Sequence, residues 1–529
     1  MTRWAITVDL ERCVGCQTCT AACKHANATD PGVQWRKVLD FEVGTFPDVA
    51  RAFVPVGCMH CDEPSCREVC PSTATGKRAD GIVTIDYDIC IGCSYCAVAC
   101  PYQARYRVNT RAPAYGAGRQ MRHEAVTADP ARLGVAQKCT LCADRIDAGL
   151  ARGLTPGVDE PATPACVASC ISGALQMGDL DDPESNVSQL LASHAYSRMH
   201  EDLGNGPGIY YLHGRDKPGP IRAKPPARPD AVGMAAVAPK LQQVWDWRAA
   251  MNFILGGAGT GLFIANMAAG PASWWIALLA LVMVGLGLAH VWAEIGRKWR
   301  FLNVFRNPAS SWMSREALIA LPFFALGGLA WLMGVAELGS ARAFGLAALP
   351  FALGFVHAQG RILRAAKGIP AWRQPEVVAL IVATGLTEGV GLLALLLFAM
   401  GSAQPWWVPI ILAALLAARF VAWSRYRAAL ARAGAPTGAL SALDASPALI
   451  AALQFVLVLL TIWGLPALGL PFGAAATALA GLGAVATGWV FKFTLITRAA
   501  FDQGYAINRM PARGAGPGRA GIQPGWTRA

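Results

Sequence analysis

No cysteine follows Cys170 in this 529-residue chain, and acidic residues thin out over the same stretch. Of the sixteen cysteines that come earlier, none stands outside a group of four: Cys13, Cys16, Cys19 and Cys23; Cys58, Cys61, Cys66 and Cys70; Cys90, Cys93, Cys96 and Cys100; Cys139, Cys142, Cys166 and Cys170. Nothing at the N-terminus reads as a secretory signal, and thiols two residues apart are badly placed to staple a fold, so a disulfide framework is disfavoured. Structural zinc takes two C-x2-C pairs or adds histidine, whereas a triplet with a further fourth cysteine does neither. Histidine is sparse as well. Of eight, only His290 and His357 fall in long apolar segments, enough for one bis-histidine haem at most.

What is present is the spacing C-x2-C-x2-C-x3-C-P in "CIGCSYCAVACPY", residues 90 to 102. In bacterial ferredoxins three thiolates of such a run take one cluster and the fourth reaches a second. Applied twice, this logic gives four [4Fe–4S] clusters and no three-iron cluster. Cys58, Cys61 and Cys66 join Cys100, while Cys90, Cys93 and Cys96 join Cys70, and both fourth ligands carry the expected Pro71 or Pro101. The outer groups exchange likewise: Cys13, Cys16 and Cys19 with Cys170, and Cys139, Cys142 and Cys166 with Cys23, although Lys24 and Ile171 replace the proline there. His60 reads as a structural histidine near a cluster. Lys24, Arg67 and Arg105 adjoin ligands, where their charge would raise potentials unless it lies solvated on the surface.

The composition changes near residue 218. "KPGPIRAKPPARP", residues 217 to 229, is a proline-rich basic linker. Before it, short apolar runs such as "GIVTIDYD" predict ferredoxin-like strands and turns. After it come eight apolar segments of spanning length or nearly so, near 249 to 269, 274 to 295, 317 to 338, 343 to 359, 376 to 400, 405 to 423, 447 to 468 and 472 to 495. The expected class is an α+β double ferredoxin-like iron–sulfur domain followed by an all-α eight-helix transmembrane bundle. Its divisions are a cluster domain over 1–216, a linker over 217–247, a membrane anchor over 248–496 and a basic cytoplasmic tail over 497–529.

The net charge of +12 does not signify nucleic acid. Residues 1 to 220 hold 21 Lys and Arg against 25 Asp and Glu, and the remainder 25 against 9. The basic residues of the second part sit in alternate loops, leaving Arg342 alone on the other side. By the positive-inside rule both termini and the cluster domain then face the cytoplasm of the inner membrane. A cluster chain tied to a bilayer implies electron exchange with quinone, which needs two protons with its two electrons. Buried carboxylates are therefore candidates: Glu294 at the end of the second span, Glu316 entering the third, and Glu388 mid-way along the fifth, where packing is an equal explanation.

Residues 1 to 215 resemble the four-cluster subunit of the dimethyl-sulfoxide-reductase family of molybdopterin enzymes, through "WAITVDLERCVGCQTCTAACK", "QKCTLCADRI", "CVASCISGAL" and the stretches already quoted. The second half looks like the eight-helix quinone-binding anchor of the same complexes, mainly through "EIGRKWRFLNVFRNPASSWMSREAL", residues 294 to 318; here the two appear fused. The resemblance implies a separate catalytic subunit carrying bis-pterin molybdenum or tungsten, no haem in the anchor, and a quinone site near that loop. Arg300 and Glu316 fall on the anchor's functional arginine and glutamate. Glu294 stands where that anchor has its quinone-site histidine, with His290 one turn earlier. Inward-facing relatives of this build include sulfite dehydrogenase and phenylacetyl-CoA:acceptor oxidoreductase. The expected function is a non-catalytic electron conduit reducing quinone, with three alternatives: a redox-linked ion-translocating module, the same conduit run in reverse as a terminal reductase, and an iron–sulfur sensor, for which no output domain is present.

Overall fold

The computed structural model describes residues 2–45, 47–113, 115–116, 119, 121–214, 218–221, 238–270, 273–444, 473–509, 511 and 520–522. The chain divides into two compact units, Met1–Lys240 with Asp502–Arg528, and Leu241–Phe501.

The first unit is built on β1 (Trp4–Asp9), whose WAITVD run is buried along nearly its whole length. Such a strand has apolar neighbours on both faces. Next come α1 (Thr18–Asn27), the hairpin β2 (Arg36–Thr45) and β3 (Asp48–Gly57), α2 (Ser65–Glu68), the short hairpin β4 (Thr75–Lys77) and β5 (Val83–Ile85), and α3 (Tyr95–Ala99). β6 (Tyr106–Arg107), α4 (Arg122–Thr127), β7 (Ala136–Gln137), α5 (Ala143–Leu150), α6 (Ala165–Ala168), β8 (Leu175–Asp179), α7 (Asn186–Ser193), β9 (Ala195–Ser197), β10 (Ile209–Leu212) and β11 (Gly219–Pro220) complete it. One mixed sheet runs β11-β9-β10-β1-β8. β1 pairs in parallel with β10, Ile6 opposite Ile209, and antiparallel with β8, Trp4 opposite Asp179. The "GIVTIDYD" run does form a strand, but a three-residue one paired only with β4. The core mixes cysteines with Ile6, Val8, Trp35, Val54 and Tyr211, so the thiols stand inside the packing rather than on its surface.

The residues after the last long helix return to this unit. Asp502, Gln503, Tyr505 and Ile507 are buried. Gln503 Nε2 donates to the Pro101 carbonyl at 3.3 Å, and Tyr505 Oη to the Tyr102 carbonyl at 3.2 Å. What composition marks as a solvated basic tail therefore opens with a packed strap beside Cys100.

The second unit holds α8 (Trp247–Ala268), α9 (Trp274–Glu294), α10 (Trp312–Val335), α11 (Ala341–Ala365), α12 (Glu376–Ala399), α13 (Trp407–Arg432), α14 (Thr437–Asp444) and α15 (Gly473–Thr497). All but α14 are long and apolar enough to cross a membrane, giving seven such helices among the described residues of a multi-pass membrane protein. The segment expected at 447 to 468 lies outside the described residues. α10, α11 and α13 outrun their apolar windows because polar turns such as WMSRE and SRYRAALAR continue each helix past the apolar stretch. α8 is the most enclosed. It meets α12 backbone to backbone: a Cβ on Gly261 would lie 2.1 Å from the Gly385 carbonyl oxygen, and one on Gly389 2.0 Å from the Gly261 carbonyl carbon. Only glycine permits that approach.

Burial lifts Asp502 to about 6, against hydrogen bonds from the amides of Lys240 and Gly504 that favour its charge. Between pH of about 4 and 6 the folded strap holds a proton that the unfolded chain has released, so its stability falls as pH rises through that window and stays lower above it. D502N keeps the acceptor and removes the charge. After correction for intrinsic rates, hydrogen exchange of the peptide spanning residues 502 to 507 should quicken from pH 4 to 6 in the natural chain, and stay level and slower in D502N. The gain should be on the order of 2 kcal/mol at most.

Candidate functional site

Each C-x2-C loop turns the same way. The residue before its second cysteine is left-handed in all four: Gly15 (φ 71°), His60 (43°), Gly92 (71°) and Leu141 (57°). Glycine takes that conformation freely, and at Gly15 a side chain would also strike the Phe53 ring at 2.3 Å. The left-handed residue aims backbone amides inward, as Leu141 N–H toward Cys139 Sγ at 3.3 Å shows. A helix, α1, α2, α3 or α6, holds each third cysteine, and the fourth comes four residues on, one turn later within α1 for Cys23 and just past the helix end for Cys70, Cys100 and Cys170. That offset lets one helix serve two groups of thiols.

The thiols gather in sets of four. One cavity of about 320 Å³ is lined by Cys58, Cys61, Cys66 and Cys100, and another of about 310 Å³ by Cys13, Cys16, Cys19 and Cys170. Cys23 faces Cys139, Cys166 and Cys142, and Asn27 Nδ2 reaches both Cys23 and Cys142 sulfurs, at 3.8 and 3.7 Å. Cys93 faces Cys96, Cys70 and Cys90. Among the described residues no three His, Cys, Asp or Glu side chains close around a point as a single ion requires.

Burial pushes Cys19 and Cys142 up to about 11 and Cys96 and Cys100 up to about 12, so charge at these sulfurs must be answered from nearby. Three buried cations and one buried histidine stand among them. Arg36, on β2, is 1% exposed, and among the described residues none of its three nitrogens has a conventional hydrogen-bond partner. What it faces is Cys166, Cys139, Cys19 and Cys23. A guanidinium this deep is tolerated only against negative charge, which deprotonated thiolates and cluster sulfides provide; this is the observation that fits the site to iron–sulfur clusters. Arg105 donates to Cys66 Sγ at 2.9 Å and Thr75 Oγ1 at 3.0 Å, and also faces Cys96, Cys58 and Cys100. Lys138 donates to the carbonyls of Val83 and Cys139 beside Cys58 and Cys66.

His60 accepts the Val83 amide at Nδ1, 3.1 Å, which leaves the Nε2 proton for Cys58 and Cys139. Burial opposes charge on this ring, and the Cys58 charge together with hydrogen bonds to Cys139 and Cys58 holds its pKa above the usual range; while Nδ1 accepts the Val83 amide the ring is a neutral donor to sulfur. Arg36 thus spans the Cys13 and Cys139 groups, His60 and Lys138 the Cys139 and Cys58 groups, and Arg105 the Cys58 and Cys90 groups. The four groups follow one another in a row.

Of the three cations singled out by adjacency, only Arg105 turns toward sulfur. Lys24 donates to the carbonyls of Thr29 and Asp30, and Arg67 is exposed. Arg36 has no motif to announce it. Lys138 does adjoin Cys139.

In the second unit the expected quinone residues lie on α9, α10 and the 3₁₀ segment Lys298–Arg306. Glu294 is buried and accepts the Asp246 amide at 3.3 Å, next to Arg248. His290 sits edge-on to Trp247, its ring centroid 5.5 Å away, with Nδ1 2.7 Å from the Leu286 carbonyl. Arg300 lies on the 3₁₀ segment, which exposes Trp299, Phe301 and Leu302, a pattern suited to a bilayer interface. Glu316 is buried against the side-chain amides of Asn252 and Gln359. Glu294 and Glu316 therefore both lean on the first turns of α8, at Arg248 and Asn252. Glu388 pairs with Lys492, which no motif announces, because one lysine in an apolar run carries no spacing signal.

Residues 49–115 match the 4Fe-4S dicluster domain family. The chain is 41% identical over 224 residues to a subunit of a selenate reductase from Mesobacillus selenatarsenatis, covering 40% of this chain and 72% of that one. It is 35% identical to a subunit of a sulfite dehydrogenase from Allochromatium vinosum (40% and 83% covered). It is 35% identical, too, to the iron–sulfur cluster-binding subunit of a menaquinone reductase from Nitratidesulfovibrio vulgaris (40% and 90%).

The chain binds [4Fe–4S] clusters, and Arg36 should set the potential of those beside it. A unit charge about 7 Å away at an effective dielectric of about 20 is worth roughly 2 kcal/mol, or about 100 mV for one electron. In a redox titration followed by electron paramagnetic resonance, R36M should lower the nearest centres by that order and R36K should leave them near the natural values. Unchanged potentials in R36M would mean that the guanidinium does not face the clusters.

Proposed function

The chain belongs to the family of iron–sulfur electron-transfer subunits of molybdoenzyme reductases, and from that premise we propose that it conducts electrons between a molybdenum- or tungsten-pterin catalytic partner and membrane quinone. Four [4Fe–4S] clusters, when bound, supply the one-electron carriers. Cys13, Cys16, Cys19 and Cys170 would hold one; Cys23, Cys139, Cys142 and Cys166 the next; Cys58, Cys61, Cys66 and Cys100 the third; Cys70, Cys90, Cys93 and Cys96 the fourth. The observation that carries this reading is the single row of thiol groups with a buried cation at every junction, on the same polypeptide as a helical membrane unit.

The membrane unit gives the row a lipid-soluble reactant to meet. Glu316 is enclosed, faces two amides and stands at the basic-loop end of its helix, where a quinone head group would need a proton donor; Glu294, His290 and Arg300 are the further candidates. The names of the relatives include a menaquinone reductase, which supports quinone as reactant. The basic loops support an arrangement in the cytoplasmic membrane with the cluster unit and both termini inside. In that arrangement the conduit takes electrons from a cytoplasmic substrate, as a sulfite dehydrogenase or an acyl-CoA oxidoreductase would require, and reduces quinone.

Metal content and partner identity test this together. A tagged chain purified from native membranes in mild detergent should bring about sixteen irons per copy and a large subunit containing molybdenum or tungsten. Sixteen irons without either pterin metal would remove the catalytic partner from the account.

A further inference from the structure

Within the membrane unit, Lys492 Nζ and Glu388 Oε2 lie 2.6 Å apart, and both side chains are fully buried. Such a pair is costly to build in an apolar bundle, and its surroundings are not those of a sealed pair. Arg419 of α13 also faces Glu388 and donates to the Ala484 carbonyl at 3.0 Å. Two cations therefore answer one carboxylate, leaving a surplus positive charge that the loss of one Lys492 proton removes. Lys492 Nζ and Gln359 Oε1 flank the same glycine, 2.5 and 3.4 Å from where a Gly257 Cβ would stand, so one water suffices to join them. Gln359 Nε2 donates to the Asn252 carbonyl at 2.8 Å, and Glu316 faces the side-chain amides of both.

Along this line four buried acceptors, Glu388 Oε1, Gln359 Oε1, Asn252 Oδ1 and Glu316 Oε1, have no hydrogen-bond partner among the described residues. Buried acceptors are normally satisfied. Four in sequence, starting beside an ammonium donor and ending on a carboxylate, are sites for bridging waters, and it is along those waters, held by the two amides, that a proton passes.

We propose that Lys492 and Glu316 are joined by an internal proton relay whose waters are held by Gln359 and Asn252, with the Glu388–Lys492 pair as its store at mid-membrane and Glu316 as its outlet. This rests on the quinone reading above. Quinone takes two electrons from the clusters and two protons to become quinol. Glu316 gives one of those protons to a quinone oxygen and its carboxylate is refilled by the proton that Lys492 releases; the second proton, and the one that later restores Lys492, come from bulk water. Lys492 is left neutral beside Glu388 and Arg419 until a proton returns. Glycine at positions 257 and 488 keeps the space around the pair open, since a Cβ at 488 would fall 2.1 Å from Glu388 Oε1.

The test runs the reaction backwards in the full cluster-loaded chain, with decylubiquinol as donor and ferricyanide as acceptor. K492R preserves the ion pair but cannot release a proton, while K492H can. Turnover in K492R should fall on the order of a hundredfold, with cluster spectra and melting unchanged and with K492H recovering much of it. K492R turning over like the natural chain overturns the relay. If K492R melts early, the neutral double variant E388Q/K492M serves: low turnover in a folded protein supports the relay, and full turnover overturns it. No quinol–ferricyanide turnover in the natural chain overturns the quinone reading and the relay with it, whereas turnover indifferent to residue 492 overturns the relay alone.

Discussion

Thiolate charge inside a packed protein must be compensated, and the cluster unit is arranged around that need. Its cysteines occupy the core beside Ile6, Val8 and Trp35, where burial alone would keep most of them protonated. Arg36, Lys138, His60 and Arg105 are buried at the junctions between groups, each facing sulfurs of two groups. One cation shared by two thiol groups requires those groups to be close. Charge compensation and short electron-transfer distance are thus met by the same four side chains.

The membrane unit solves the opposite problem with the same means. A proton route through an apolar bundle needs polar groups where they are expensive, and the glycines let them in. Gly256 and Gly257 on α8 make room for Gln359 and Lys492, as Gly488 does for Glu388, and Gly261 with Gly389 lets the α8 and α12 backbones touch. Electron and proton chemistry would then be divided between the two units of one chain, with clusters in one and carboxylates in the other.

How much of this the sequence carries depends on whether a feature is periodic or spatial. Cysteine spacing is periodic and local, so the grouping of all sixteen could be read directly. Hydropathy likewise marks the long helices, erring at their ends because polar turns of α10 and α13 lie beyond the apolar stretch. Arg36 and Lys492 could not be found this way. Each is one basic residue with a partner more than a hundred positions away, Cys139 or Glu388. His60 was legible only as a residue near a cluster. Its left-handed backbone shows that it fills the place glycine takes in the Cys13 and Cys90 loops, with an imidazole gained toward sulfur. The strap from Asp502 to Ile507 was hidden in a basic tail because its four buried side chains form no pattern.

The central claim is four neighbouring [4Fe–4S] clusters in one row, and electron paramagnetic resonance of the full chain tests it most directly. The account predicts no three-iron signal in the oxidised protein, and on full reduction about four spins per chain with broadened, mutually coupled lines. A three-iron signal in freshly prepared protein, or fewer spins in isolated and uncoupled spectra, would contradict it.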